Sequence, residues 1–97
     1  MPYKLVFKQE ALDEWERLDG SIKKQFKKVL EKRLENPHVE SAKLHSMQNA
    51  YKIKLKTIGY RLVYIVEDEA IKIIVIAVGR RDKSEVYVNA LRRLHQE

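Results

Sequence analysis

An α+β fold with a mainly antiparallel sheet is what this chain predicts, and three observations lead there. Three apolar or alternating runs, Tyr51–Leu55, Tyr60–Val66 and Ile71–Val78, follow one another with turn-type residues between them. Two stretches before them and one after carry apolar residues at helical spacing. A short alternating run opens the chain. The order strand, helix, helix, three-strand meander, helix places an αα-hairpin on one sheet face. At 97 residues the chain is expected to be one domain, 1–97, with a single modest core.

Each element has a local reason. Tyr3 to Lys8 alternates weakly and reads as a short strand. From Gln9 onward, Ala11, Leu12, Trp15 and Leu18 recur at helical spacing, and Gly20 is expected to stop that helix. Ser21 is expected to cap a second helix, in which Ile22, Phe26, Val29, Leu30 and Leu34 form one stripe. Asn36-Pro37 ends it, because proline disfavours helix in the residue before it. The polar, aperiodic segment from His38 to Ala50 reads as loop. Along the next strand, Tyr51, Ile53 and Leu55 point one way and Lys52 and Lys54 the other. A turn at Thr57-Ile58-Gly59 leads into Tyr60–Val66, and Glu67–Ala70 leads into Ile71–Val78. That last run is apolar enough for a central strand covered on both faces. After Gly79-Arg80-Arg81, the segment Asp82-Lys83-Ser84-Glu85 looks close to a capping box. It opens a final helix with Val86, Tyr87, Ala90, Leu91 and Leu94 on its apolar side.

Charge narrows the function. Twenty Lys and Arg against 14 Asp and Glu give a formal charge of +6 and a pI near 9.6, which points to a polyanionic partner: nucleic acid or an anionic membrane surface. No apolar run reaches transmembrane length, and the opening segment is too short and too quickly polar for a signal peptide. The absence of cysteine excludes disulfides, a thiolate zinc site and a thiol nucleophile, and fits a reducing cytoplasm. His38, His45 and His95 are scattered, no carboxylates sit at metal-ligand spacing, and Glu67-Asp68-Glu69 falls in a turn where acidic residues are ordinary. Metal-assisted hydrolysis is poorly supported and no cofactor is expected.

Lys, Arg and Tyr remain. RNA carries its own nucleophile, the 2′-hydroxyl beside the scissile phosphate. An enzyme acting on it must hold the nucleotide in line, neutralise the phosphorane and move two protons. Fixed cations suit the second task. Lys or Tyr suits the third when neighbouring cations lower its pKa.

At this point the chain resembles the RelE-type toxins, the ribosome-dependent mRNA interferases of bacterial toxin–antitoxin pairs. The similarity runs through Ala11-Leu12-x-x-Trp15, Ala42-Lys43-Leu44, Tyr51-Lys52-Ile53-Lys54-Leu55, Gly59-Tyr60-Arg61-Leu62-Val63-Tyr64 and Val78-Gly79-Arg80-Arg81-x-x-Ser84-Glu85-Val86-Tyr87. The blocks around Arg61 and Arg80 recur across the wider superfamily and mark fold. The combination Lys52, Lys54, Arg61, Arg81 and Tyr87 matches the catalytic set of the RNA-cleaving branch. The resemblance implies cleavage of mRNA in the ribosomal A site by 2′-oxygen attack, leaving a 2′,3′-cyclic phosphate and a 5′-hydroxyl. In that scheme Tyr87 or Lys52 accepts the 2′-hydroxyl proton, and Lys54 and Arg61 stabilise the phosphorane. Arg81 binds phosphate and assists the leaving oxygen, with Lys54 as the alternative acid.

The same residues have plainer readings. Lys52 and Lys54 suit the solvent side of an edge strand. Arg61 and Arg81 have Asp82, Glu85 and Glu67 to pair with, and Tyr87 is by default a boundary aromatic. On the second helix Lys23, Lys24, Lys27 and Lys28, with Lys32 and Arg33, form either a solvated face or a grip on ribosomal RNA. Arg80 and Lys83 join that RNA- and ribosome-binding set. Two rival classes stand beside the interferase: a ParE-type toxin that poisons gyrase, and a non-catalytic basic module that only grips phosphate. The resemblance further implies a RelB-like acidic antitoxin, folding on this surface and covering the cations or displacing the last helix. Operator DNA would be met only through that complex.

Overall fold

The computed structural model describes residues 2–55, 59–80 and 85–95. Four strands, β1 (Lys4–Phe7), β2 (Ala50–Leu55), β3 (Tyr60–Glu67) and β4 (Lys72–Arg80), form one sheet in the order β1-β4-β3-β2. Three helices, α1 (Gln9–Glu16), α2 (Gly20–Glu35) and α3 (Glu85–Leu94), cover it, and a 3₁₀ turn spans Glu40–Ala42. The strand–helix–helix–meander–helix order expected from the sequence is the one observed. β2, β3 and β4 pair antiparallel, while β1 pairs parallel with β4 after the two-helix crossover. The apolar run of β4 is central, as its composition required.

The sheet has two distinct faces. Tyr51, Ile53, Leu55, Leu62, Tyr64, Val66, Ile73 and Val75 pack with Ala11, Trp15, Ile22, Phe26 and Leu30 beneath α1 and α2. Val63, Ile76 and Ala77 pack with Val86 and Ala90 of α3 and with Met47 and Ala50. Because cross-strand partners share a face, Lys54 and its partner Arg61 stand on the α3 side, with Lys52 two residues along. The register slips by one residue between Val63 and Tyr64, so both Ile76 and Ala77 turn toward α3. Beyond that bulge the alternation resumes with Val78 on the α1–α2 side and Gly79 beneath α3.

Several boundaries differ from the sequence expectation. Gly20 does not stop α1; that helix ends at Glu16, and Gly20 and Ser21 lie in the first turn of α2, with Asp19 as its extended N-cap. The Asp19 carbonyl accepts the Ile22 and Lys23 N–H groups as the first bonds of the helix, and Asp19 makes no side-chain cap bond. β4 begins at Lys72 and runs on through Arg80, whereas Ile71 sits in the preceding turn at φ 52, a left-handed conformation costly for a β-branched residue. Leu91 is exposed rather than on the buried side of α3, and Arg93 is buried there instead. The turn around Thr57-Ile58 and the capping segment Asp82-Lys83-Ser84 lie outside the described residues.

A polar clasp closes the end of the sheet remote from Lys54. His38 bonds the Tyr51 hydroxyl through Nδ1 at 3.0 Å and Asp68 Oδ1 through Nε2 at 2.8 Å, and Tyr3 donates its hydroxyl to the same carboxylate oxygen at 2.7 Å. These bonds, the Tyr3 hydroxyl's first, hold the Asp68 carboxyl below its ordinary value of 3.8. A depressed carboxylate stabilises the fold in full above its unfolded value and loses that contribution as pH falls through the folded one. In acid titrations followed by circular dichroism, Asp68→Asn is therefore expected to narrow its stability gap to wild type below pH 3.8. A gap independent of pH would remove Asp68 from the acid limb.

Candidate active site

The site is built on the β2–β3 ladder. Lys52 is half-buried and Lys54 exposed, as an alternating strand at a sheet edge requires. Arg61 is 8% exposed even though it carries a full charge, and its Nη1 donates to the Tyr60 carbonyl at 3.3 Å. Its neighbour across the other side of the strand is Gly79, which presents no side chain there. A Cβ built at Gly79 lies 3.8 Å from the Val86 Cβ, so α3 passes directly over this part of the sheet. Tyr87, next along α3, is half-buried and packs against the same apolar cluster as Val63 and Ile76. Lys52, Lys54, Arg61 and Tyr87 thus belong to one side of the sheet.

A buried cation with no acid beside it among the described residues is the informative feature. Among the described residues, no carboxylate oxygen comes within 4.0 Å of a side-chain nitrogen of Lys52, Lys54 or Arg61. Glu67, offered by the sequence as a partner for Arg61, pairs instead with Lys72 at 3.7 Å. Cations held without a counter-ion in a partly desolvated place attract an anion strongly. Among the described residues no group of three or more His, Asp or Glu side chains is arranged to hold a metal ion.

The other sequence candidates are placed elsewhere. Arg80 follows Val78 onto the α1–α2 side, where its guanidinium lies over the Tyr60 ring, 5.9 Å from the centroid. Lys24, Lys27 and Lys28 are exposed on α2, and Lys23 lies 3.8 Å from Glu16. That helix covers the sheet face opposite Lys54. Arg81 and Lys83 lie outside the described residues.

Two features escaped the sequence. One is a buried ion pair: Arg93 of α3 donates through Nη1 and Nη2 to both carboxylate oxygens of Glu14 on α1, at 2.8 and 2.9 Å. Glu14 also accepts the Val78 N–H at 3.0 Å, and Arg93 donates to the Ile76 carbonyl at 3.0 Å, so the pair ties both helices to β4 beside its bulge. The Glu14 hydrogen bonds hold the Arg93 guanidinium in its charged form. The only hint in the sequence is that Glu14 adjoins Trp15 and Arg93 adjoins Leu94, each beside an apolar position. The other feature is Arg33, grouped by sequence with the solvated face of α2. Its side chain turns inward, and Nη1 donates to the Lys52 carbonyl at 3.1 Å and the Tyr64 hydroxyl at 3.0 Å.

Comparison with known proteins agrees with this layout. The family model described as the ParE toxin of type II toxin-antitoxin system, parDE, matches residues 5–85. The mRNA interferase toxin RelE of Escherichia coli strain K12 is 48% identical over 94 residues, 97% of this chain and 99% of the relative. A variant of the E. coli toxin RelE lacking two arginines, solved in the free state, superposes with a TM-score of 0.90 at 47% identity, covering 97% of this chain and 99% of that one. The same E. coli variant in complex with a peptide of the antitoxin RelB aligns with a TM-score of 0.81 at 48% identity, over 93% and 95% of the two chains. With one family model spanning most of its length and full-length relatives at nearly half identity, this chain belongs to the RelE/ParE family of type II toxin–antitoxin toxins, as a RelE-type member.

Proposed function

We propose that this protein is the toxin of a type II toxin–antitoxin pair and acts as an endoribonuclease, an mRNA interferase that cuts mRNA in the ribosomal A site. The observation that carries the reading is the cation set on the β2–β3 ladder, which has no carboxylate partner among the described residues, with Arg61 buried beside Lys54. In an RNA substrate the 2′-oxygen attacks the adjacent phosphorus and the 5′-oxygen leaves, giving a 2′,3′-cyclic phosphate and a 5′-hydroxyl. Lys54 and Arg61 stabilise the charge that grows on the phosphorane oxygens. Tyr87 or Lys52 takes the 2′-hydroxyl proton, and Arg81 or Lys54 assists the departing oxygen. Each positioned proton-transfer group contributes on the order of 10²–10⁴ in rate. No metal or cofactor has a part in this scheme. Lys23, Lys24, Lys27, Lys28, Arg80 and Lys83 serve affinity for ribosomal RNA, where phosphate contacts dominate.

The partner set follows the same reading: mRNA and ribosomal RNA as substrate and platform, a RelB-like antitoxin as inhibitor, and operator DNA only through the toxin–antitoxin complex. No described helix is long and apolar enough to cross a membrane, and the cytoplasm, where ribosomes translate, is the proposed location. The name of the matching family model keeps a second reading in view, the gyrase-poisoning toxin.

One experiment separates the readings. On ribosomes programmed with a short mRNA, cleavage within the A-site codon is expected, unaffected by EDTA added at constant free magnesium outside the toxin. A single 2′-deoxy nucleotide at the scissile position should abolish it. Cutting that survives the deoxy substitution refutes the nucleophile, and intact mRNA with arrested gyrase reassigns the protein to the second reading.

A further inference from the structure

Beside the proposed catalytic ladder, the outer edge of β2 carries a concavity. It has a volume of about 230 Å³ and is lined by Arg33, Ser41, Ala42, Lys52 and Lys54. Three of these five residues are cations and one is a hydroxyl. None of the three cations has a carboxylate within 4.0 Å among the described residues. Arg33 is the fixed member. Its Nη1 is held by the Lys52 carbonyl and by the Tyr64 hydroxyl, and its guanidinium carbon lies 5.8 Å from the Tyr64 ring centroid.

Tyr64 is in turn fully buried and donates to the Pro37 carbonyl at 2.8 Å, so the anchor is itself anchored. Burial pushes the Tyr64 hydroxyl above its ordinary value, against the opposing pull of Arg33, which keeps it a neutral donor and acceptor. A guanidinium has five N–H donors, and Nη1 alone meets both acceptors. The Arg33 side chain makes no other hydrogen bond to a described residue, and the residue lines the cavity. A planar fork backed by two ammonium groups and a hydroxyl suits the oxygens of a phosphodiester better than any neutral or cationic group.

We infer that Arg33, Ser41, Lys52 and Lys54 form a phosphate subsite that receives the RNA linkage next to the one being cut. The inference rests on the endoribonuclease reading and adds to it a residue, Arg33, that the catalytic scheme does not use. Lys52 and Lys54 border both places, so a strand with its scissile phosphate against Arg61 and Lys54 lays a neighbouring phosphate at the β2 edge. The fixed Arg33 fork then sets the strand's direction across the ladder. It is a binding and positioning residue, acting on the RNA and on the Lys52 backbone.

The test places an uncharged methylphosphonate at one linkage at a time on either side of the scissile bond, and follows single-turnover cleavage on programmed ribosomes. With wild type, one flanking linkage is expected to lose about tenfold in cleavage efficiency, the size of one charge-assisted hydrogen bond. In Arg33→Met the same linkage should have little further effect, because the partner is already gone, and Arg33→Lys should restore part of the sensitivity. Equal sensitivity of wild type and Arg33→Met at every flanking linkage overturns the subsite while leaving the nuclease intact. Should wild type cut nothing, or Arg33→Met fail to fold, titration of wild type with inorganic phosphate against chloride at equal ionic strength decides the matter. Saturable amide shifts at Arg33, Ser41 and Lys52 are expected, and their absence overturns the subsite.

Discussion

Replacing Arg61 with methionine is expected to lower single-turnover cleavage on programmed ribosomes by about 10²–10³, the usual loss when one preorganised donor to a developing anion is removed. The methionine keeps most of the stem that is buried against the sheet, so the fold should survive the change. Arg61 is 8% exposed and has no carboxylate partner among the described residues. Lys54→Ala should fall by a similar factor, because Lys54 is the cross-strand partner of Arg61 and in the proposed scheme stabilises the same phosphorane. The double variant is expected to be little worse than the worse single one, since groups acting on one transition state are strongly non-additive. Half-saturating toxin concentrations should move only a few-fold, because ribosome affinity is spread over many phosphate contacts. If Arg61→Met, Lys54→Ala and Lys52→Ala all cut within a few-fold of wild type, the active site lies elsewhere.

The largest loss of stability is expected at the Glu14–Arg93 pair. The Arg93 and Glu14 side chains are 8% and 19% exposed, and each also bonds the β4 backbone. Removing one partner leaves a charge buried without its counter-ion, which costs about 3–5 kcal/mol. For a domain of this size that is a melting-point drop of roughly 12–40 °C. Glu14→Leu should be the worse single change, because it also strands the Val78 N–H. In the double variant Glu14→Leu, Arg93→Met, no unpaired charge remains, and part of the lost stability should return. The unmet Val78 N–H and Ile76 carbonyl keep that return incomplete. Thermal unfolding of the four proteins reads the cycle directly. Activity should fall alongside stability, because α3 carries Tyr87 and is tied down at its far end by Arg93. A double variant no more stable than its parents would show that the pair acts through the backbone bonds alone.

Much of this architecture was legible before any coordinates. The alternation at Tyr51–Leu55 put Lys52 and Lys54 on the face opposite Tyr51, Ile53 and Leu55, and the sheet places them so. The apolar run Ile73–Val78 called for a covered strand, and β4 is one of the two strands paired on both sides. Less legible were the helix boundary at Gly20 and the inward turn of Arg33. The start of α2 has no side-chain cap bond at Asp19 for the sequence to advertise, and a long cationic side chain near a helix end reaches whichever acceptor the tertiary fold brings near. Leu91 is exposed against expectation, and Arg93, of which the sequence reading said nothing, is buried, because the buried side of α3 answers a carboxylate on α1 as well as the apolar sheet.

The amino-acid order by itself determined the elements, their succession, the two faces of the sheet and the excess of positive charge, because periodicity and composition are local properties. Only the tertiary structure decided which cations meet. Pairing Lys54 with Arg61, sending Arg80 to the opposite face over Tyr60, and locking Arg33 onto Lys52 all depend on strand register, a one-residue bulge and the route of α2 past the β2 edge. Register is set by the summed packing of both faces, and a slip of one residue reverses every side chain, so no short stretch of sequence carries that information alone.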